Sequence, residues 1–429
     1  MLFKNICILD ENFEIKEKMF LGTKGDKIDY ISSNEPTESY GETYDGKGKL
    51  LMPGFYNAHG HSPMSLMRGY GENLSLQNWL TQKIFPFEDK LYRKAVYWAT
   101  QLTMAESMRY GIVSTTDMYY FIDDMVRAIV RSGEKCNISR ALVNPAGEAL
   151  DSLECVKEMK ETAMTYHGFK NDKILVDNSI HAEYTSDEKT VRYIADYTKE
   201  MGLGMHVHVS ETEFETEECK KRHGGKTPVE YFAQVGLFDT RTTAAHCVWI
   251  NDNDRDILKE KNVTVASNPI SNLKLASGIC NVPKLYEKGI NVAIGTDSVA
   301  SNNNLDFFEE LKTFALLGKM KSKDPSLMTP KQVLYSATRA GALSQGREDC
   351  GLLKEKFKAD MIVVDLDVPN MQPVHNTANN LVYSASGKDV CLTMVDGRVL
   401  YKDGEYLTLD LESIMFETNY AKNKILGMF

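Results

Sequence analysis

The middle of the chain alternates between short apolar segments and longer amphipathic ones. Short apolar runs bounded by turn residues are typical of buried strands, and apolar residues that recur every three or four positions indicate helices. Helices are predicted at 91–110, 153–166, 187–201, 252–260 and 305–319. Eight strands are predicted at 54–58, 112–116, 138–143, 174–180, 204–209, 242–247, 263–267 and 292–296.

This repeated strand–helix order predicts an α/β fold, the (β/α)8 TIM barrel. Both chain ends instead show short strand-like runs separated by turn residues, and Asp396-Gly397 is a hairpin signal between two of them. We therefore predict that 1–52 and 353–429 together form a small β-sandwich domain, and that 53–352 form the barrel.

Composition narrows the class of protein. The 429 residues are 42% hydrophobic, enough for a full core, and carry a net charge of −10. That sign argues against a nucleic-acid partner. The eight cysteines form no C-x-x-C pair, no apolar run is long enough to cross a bilayer, and charges come too early for a signal peptide. A soluble cytoplasmic protein without a membrane partner is predicted.

Metal-binding residue types stand where four predicted strands end. His59 and His61 flank one glycine, and residues two apart on a strand face the same side, so both imidazoles can reach one cation. His208, His246 and Asp297 likewise stand at the ends of later predicted strands or directly after them. The carboxyl ends of barrel strands meet at one face, which gathers these groups into a candidate metal site.

Each of these residues also has a purely structural interpretation. Glu211 opens an acidic run that is typical of a solvated helix face, although it is the first acidic residue after its strand. Asp297 is a possible helix N-cap. His246 lies among apolar neighbours and by itself favours a core histidine, and His206 is interpreted as a packed or hydrogen-bonded barrel residue.

Taken together, these motifs resemble the amidohydrolase superfamily. More closely, they resemble its branch of adenosine-type and triazine-type deaminases and chlorohydrolases, with S-adenosylhomocysteine/5′-methylthioadenosine deaminases as the nearest match. The similarity runs through essentially the whole chain. It is carried by 51–64, 66–69, 78–80, 86–88, 208–212, 244–247, 267–275 and 295–303.

The resemblance implies a metal-dependent aminohydrolase that releases ammonia from an N-heterocycle, with an adenosine-type nucleoside or related purine as substrate. One divalent ion, usually Zn2+ with Fe2+ or Mn2+ as alternatives, would be held by His59, His61, His208 and Asp297. The implied catalytic residues are Glu211 as proton shuttle, His246 at the reacting centre and Asp297 as proton acceptor. The implied substrate-binding residues are Glu88 facing a ribose or other polar part, His181 facing the heterocycle and Trp79 walling the pocket.

Two departures from the family pattern matter. The fourth strand has no lysine at its far end to bridge two metals, so a single ion is predicted. The arginines expected shortly after the third strand are missing: Arg140 lies inside that strand, and nothing basic follows before Lys157. An anionic substrate tail would therefore lack its expected partner.

Other functions stay open at this level. The same site is compatible with hydrolysis of another C–N or C–Cl bond on a triazine, pterin or pyrimidine ring. A non-catalytic binding scaffold is a third class, which the retention of all proposed ligands argues against. By analogy with the family, a homo-oligomer is predicted.

Overall fold

A computed structural model describes residues 1–429. The strands are β1 (Leu2–Leu9), β2 (Ile15–Lys24), β3 (Lys27–Ser32), β4 (Thr43–Asp45), β5 (Lys49–Pro53), β6 (Phe55–Gly60), β7 (Ile112–Tyr119), β8 (Lys135–Leu142), β9 (Ile174–Ile180), β10 (Gly204–Val209), β11 (Thr242–His246), β12 (Thr264–Ser267), β13 (Val292–Ile294), β14 (Met361–Asp365), β15 (Val390–Val395), β16 (Arg398–Lys402) and β17 (Glu405–Tyr406).

Helices follow most barrel strands and cover the outside of the barrel. The α-helical segments are Leu76–Trp79, Phe85–Glu88, Arg93–Arg109, Ile122–Ser132, Glu154–Tyr166, Phe169–Asp172, Glu188–Met201, Glu213–Arg222, Pro228–Gln234, Asp252–Glu260, Pro269–Lys274, Val282–Glu287, Phe307–Ser322, Pro330–Ala337, Arg339–Ser344, Thr377–Tyr383 and Leu411–Leu426. Short 3-10 turns span Ser62–Met67, Leu150–Ser152, Glu183–Thr185, Pro369–Met371 and Gly387–Asp389, and a π-helical turn spans Leu80–Ile84.

Strands β6 to β13 form one parallel eight-stranded sheet in chain order. A parallel bridge between Gly60 and Asp297 joins the segment after β13 back to β6, which closes the sheet into a barrel. Strand β10 is buried along its whole length, as expected for a strand with the barrel interior on one side and helices on the other. The same bridge brings the first and last metal-binding motifs of the chain side by side.

The remaining strands form a single nine-stranded mixed sheet built from both chain ends. In it, β5 pairs with β1 in parallel and with β14 in antiparallel orientation, so residues near 50 join strands from the two termini. Lys135 at the start of β8 forms buried ion pairs with Asp360 and Asp396, and Tyr56 donates a hydrogen bond to Asp360. These buried polar contacts tie the terminal sheet to the base of the barrel.

The predicted fold class, a (β/α)8 barrel with a small β-domain formed by both chain ends, is confirmed. The strands of that domain, predicted as a β-sandwich, belong to one continuous mixed sheet. The predicted strands 174–180 and 204–209 coincide with β9 and β10. Strand β2 was not predicted, because its first half, Ile-Lys-Glu-Lys, is exposed and lacks a clear apolar pattern. The domain limits at 52/53 and 352/353 stay predictions. No helix is both long and apolar enough to cross a bilayer.

Candidate metal centre and active site

Three imidazoles and one carboxylate converge at the mouth of the barrel. His59 Nε2 and His61 Nε2 each lie 3.4 Å from Asp297 Oδ1. His208 Nε2 lies 3.4 Å from His61 Nε2. His59 lies in β6 and His61 directly follows that strand. His208 lies in β10 and Asp297 follows β13, so distant parts of the chain contribute to one cluster.

In each of these three histidines, the ring nitrogen that faces away from the cluster, Nδ1, forms a hydrogen bond within the protein. His61 Nδ1 donates to the carbonyl oxygen of Met118 at 2.7 Å, and His208 Nδ1 donates to that of His181 at 2.6 Å. A carbonyl only accepts, so in each neutral ring Nε2 is the bare nitrogen and faces the cluster. His59 Nδ1 pairs with His206 Nε2 at 2.9 Å, which gives His206 the hydrogen-bonded barrel position predicted for it.

These nitrogens fit a cation. Burial lowers the pKa of His59 to about 3 and holds the pKa of His208 well below its ordinary value, so both rings are neutral at pH 7. His59 Nε2 is buried without a hydrogen-bond partner although it points at the cluster. A buried ring nitrogen without a hydrogen-bond partner is costly, and a divalent ion would satisfy it. The donor set of three imidazoles and a carboxylate is one that zinc-type ions accept.

Asp297 is held by hydroxyl and backbone donors. Ser271 Oγ donates to its Oδ2 at 2.6 Å, Ser301 Oγ donates to the same oxygen at 3.1 Å, and Ser298 N–H donates to Oδ1 at 2.8 Å. Its backbone is left-handed, with φ of 60°, and His246 has φ of 74°. Non-glycine residues rarely adopt this conformation, and it concentrates at functional sites because it redirects a side chain at a strand end.

Glu211 and His246 form a second group beside the cluster. His246 Nε2 lies 3.6 Å from Glu211 Oε2, and Ser277 Oγ donates to Glu211 Oε1 at 3.1 Å. Burial raises the pKa of Glu211. Burial lowers the pKa of His246, but the facing carboxylates of Glu211 and Asp297 outweigh it and raise that pKa above its ordinary value. Both shifts favour the protonated form of each side chain, and two neighbouring groups with shifted pKa values suit proton transfer.

One pocket opens over both groups. Its lining includes His61, His208, Glu211, His246 and Asp297 together with all three predicted substrate-binding residues: Trp79, Glu88 and His181. Tyr119 Oη donates to Glu88 at 2.6 Å, and burial raises the pKa of Glu88 to about 7. His181 Nδ1 is buried without a partner, and burial lowers the His181 pKa to about 4, so this ring is neutral. The structure thus brings every predicted site residue to one place.

A side cavity adjoins this pocket and shares Phe85, Glu88, Tyr120 and His181 with it. Arg140 also lines the side cavity. Arg140 lies inside a strand, β8, as predicted. Its side chain nevertheless reaches the cavity that adjoins the active-site pocket.

Sequence reasoning did not assign the residues that hold the functional groups. Ser271, Ser277 and Asn272 belong to this set, and Asn272 Oδ1 accepts from His246 Nδ1 at 2.8 Å. Ser271 and Asn272 lie in the polar segment 267–275, which directly follows a strand and is part of the family resemblance, whereas Ser277 lies just beyond that segment.

Comparison with known proteins agrees with this geometry. The 5-methylthioadenosine/S-adenosylhomocysteine deaminase of Dictyoglomus thermophilum is 40% identical over 417 residues, 97% of each chain. The 5′-deoxyadenosine deaminase of Methanosarcina mazei is 40% identical over 390 residues, 91% of this chain and 90% of the relative. A solved adenosine deaminase from Xanthomonas campestris with bound zinc matches with a TM-score of 0.93 at 27% identity, covering 99% of this chain and 98% of that one.

The profile of the amidohydrolase family matches residues 50–400, which include all the site residues described above. That span is most of the chain, and it contains the whole barrel. The chain belongs to the amidohydrolase family.

Proposed function

We propose that this protein is a metal-dependent aminohydrolase that removes the amino group of an adenosine-type nucleoside as ammonia. The observation that carries the proposal is the placement of Glu211 and His246 directly beside the convergent cluster of His59, His61, His208 and Asp297, in one pocket. Full-length relatives named as adenosine-type deaminases support the substrate class.

The metal proposed for the cluster is a single Zn2+ ion. His59, His61, His208 and Asp297 would hold it through the three Nε2 atoms and one carboxylate, as their convergence supports. A divalent ion bound there supplies Lewis-acid activation of a water molecule. Fe2+ and Mn2+ suit the same donor types, so metal analysis of the purified protein decides between them.

The residues around the cluster would carry the protons. Asp297 accepts the proton that the attacking water loses as its oxygen bonds to the ring carbon that bears the amino group. Glu211, whose raised pKa favours the protonated form, donates a proton to the neighbouring ring nitrogen. Glu211, now a carboxylate, takes the remaining hydroxyl proton of the tetrahedral centre and delivers it to the amino group, so that the ring carbonyl forms, the C–N bond breaks and ammonia leaves. The proton held by Asp297 then restores the protonated form of Glu211. His246 stabilises the tetrahedral centre by hydrogen bonding.

Three further residues would position the substrate. Glu88 would accept hydrogen bonds from ribose hydroxyls. His181 would hydrogen-bond the heterocycle, a role supported by its unpartnered buried nitrogen. Trp79 would cover one face of the pocket, in which more than half of the lining residues are hydrophobic.

The test is ammonia release by the zinc-loaded protein from matched panels of adenosines, free purines, pterins, pyrimidines and triazines. We expect adenosines to be turned over fastest, with loss of activity on chelation and recovery with Zn2+. Faster turnover of a triazine or pterin would replace the proposed substrate, and activity that survives complete metal removal would reject the mechanism. The predicted homo-oligomeric state stays a prediction, which light scattering of the purified protein tests.

A further inference from the structure

The side cavity is placed to receive the part of a nucleoside that extends beyond the ribose. It shares Glu88 and His181 with the metal pocket and has a volume of about 680 Å³. A nucleoside with its base at His181 and its ribose at Glu88 would direct the 5′ substituent along this shared wall. Because Glu88 lines both the metal pocket and the side cavity, a substituent that leaves the ribose along this wall would extend into the side cavity.

The charge of this cavity is mainly negative. Its charged lining residues are one cation, Arg140, and three carboxylates, Glu88, Asp89 and Glu158. No lysine lines it, and burial keeps Glu88 only partly ionised near neutral pH because its pKa is about 7. Even without Glu88, two acidic groups face a single guanidinium.

That guanidinium is already engaged on several sides. Arg140 Nε donates to Glu158 Oε2 at 2.5 Å, and an Arg140 terminal nitrogen donates to the carbonyl oxygen of Ala141 at 2.8 Å. Its planar group lies 4.9 Å from the centre of the Tyr120 ring. An incoming carboxylate would therefore compete with Glu158 for Arg140 and would be repelled by Glu158 itself.

Building on the proposed function, we propose that the Arg140–Glu158 pair makes this side cavity selective for adenosines whose 5′ substituent carries no negative charge. The pair fixes the guanidinium against Tyr120 as part of the cavity wall and cancels its attraction for anions. Substrates ending in a hydrogen, a hydroxyl or a methylthio group fit this surface. Substrates ending in a carboxylate meet an excess of negative charge.

The experiment compares two matched substrates, adenosine analogues that bear a 5′-carboxamide or the corresponding 5′-carboxylate. These differ in charge and hardly in shape. We expect the zinc-loaded wild-type protein to favour the carboxamide by about tenfold or more in kcat/KM, since like charges facing each other are strongly disfavoured. Glu158→Gln frees Arg140 and removes one repelling charge, so it should shrink that preference by about tenfold.

Glu154→Gln is the matched control, because Glu154 lies on the same helix, is 77% exposed in its side chain and does not line the cavity. It should leave the preference unchanged. Arg140→Gln, a second variant, should leave the carboxylate disfavoured at least as strongly as in the wild type. Equal use of both substrates by the wild type, or a preference unchanged by Glu158→Gln, would overturn the selectivity. Failure to deaminate 5′-deoxyadenosine and every other adenosine would instead overturn the proposed function, and this inference with it.

Discussion

Replacing Glu211 with glutamine tests the proposed proton shuttle with the smallest change in shape. The substitution keeps the size of the side chain and one oxygen that can accept from Ser277 Oγ, which now lies at 3.1 Å. It removes the ability to give up and take back a proton. It also removes the ionisable carboxyl group that lies 3.6 Å from His246 Nε2.

The size of the effect follows from what is lost. General acid–base catalysis by one positioned group is typically worth about 10²–10⁴-fold, or about 3–5 kcal/mol of activation free energy. Glu211 is not among the groups that converge on the proposed ion, so metal binding should persist. Because burial penalises the ionised carboxylate of Glu211, as its raised pKa shows, the neutral amide should not lower the free energy of unfolding.

The assay measures kcat for ammonia release, bound zinc by elemental analysis and thermal unfolding on the same preparations. Glu213→Gln, a change at an exposed position two residues further along, is the control and should behave as the wild type. A Glu211→Gln protein that keeps near-wild-type kcat would refute the shuttle assignment. A protein that loses both zinc and activity would show instead that Glu211 is needed to hold the ion.

Three other perturbations probe different parts of the structure. Burial raises the pKa of Glu88 to about 7, so the fraction of Glu88 in the ionised form that accepts hydrogen bonds grows as the pH rises through that value. KM for adenosine should therefore fall over this pH range in the wild type and stay constant in Glu88→Gln. A wild-type KM that does not change with pH would count against the ribose contact. Ser271→Ala removes the 2.6 Å hydrogen bond to Asp297 and should weaken zinc affinity by about 10–100-fold, whereas unchanged affinity in a competition titration would show that Ser301 suffices. Lys135→Met leaves Asp360 buried without its cation. It should lower the free energy of unfolding, measured by urea titration, by about 3–5 kcal/mol. Lys170→Met, a substitution at an exposed position, is the control, and equal stability of the two variants would contradict the role given to this ion pair.

Several elements were predictable because their signals are local. The helix at Asp252–Glu260 begins after Asn251, whose side chain accepts from Asp254 N–H, and its bounds were predicted correctly. Strands β9 and β10 also match their predicted bounds, although each carries polar residues, Asp177 to Ser179 in β9 and His206 and His208 in β10. The last barrel strand was predicted at 292–296 but spans only Val292–Ile294. The chain turns at Asp297, whose backbone is left-handed, and strand propensity does not anticipate that conformation.

The sequence by itself determined the alternation of strands and helices and the identity of the groups at the strand ends. Both depend on local order, because periodicity sets the element, and His59, His61, His208 and Asp297 each stand at the end of a strand or just after it. Only the tertiary structure decided which nitrogen of each ring faces inward, that Ser271 and Ser277 hold the two carboxylates, and that Glu158 pairs with Arg140 in the side cavity. The physical reason is distance along the chain. Ser277 and Glu211, which form a hydrogen bond, are 66 residues apart in the sequence. Contacts of this kind depend on closure of the barrel through the bridge between Gly60 and Asp297, and no pattern within a single segment specifies them.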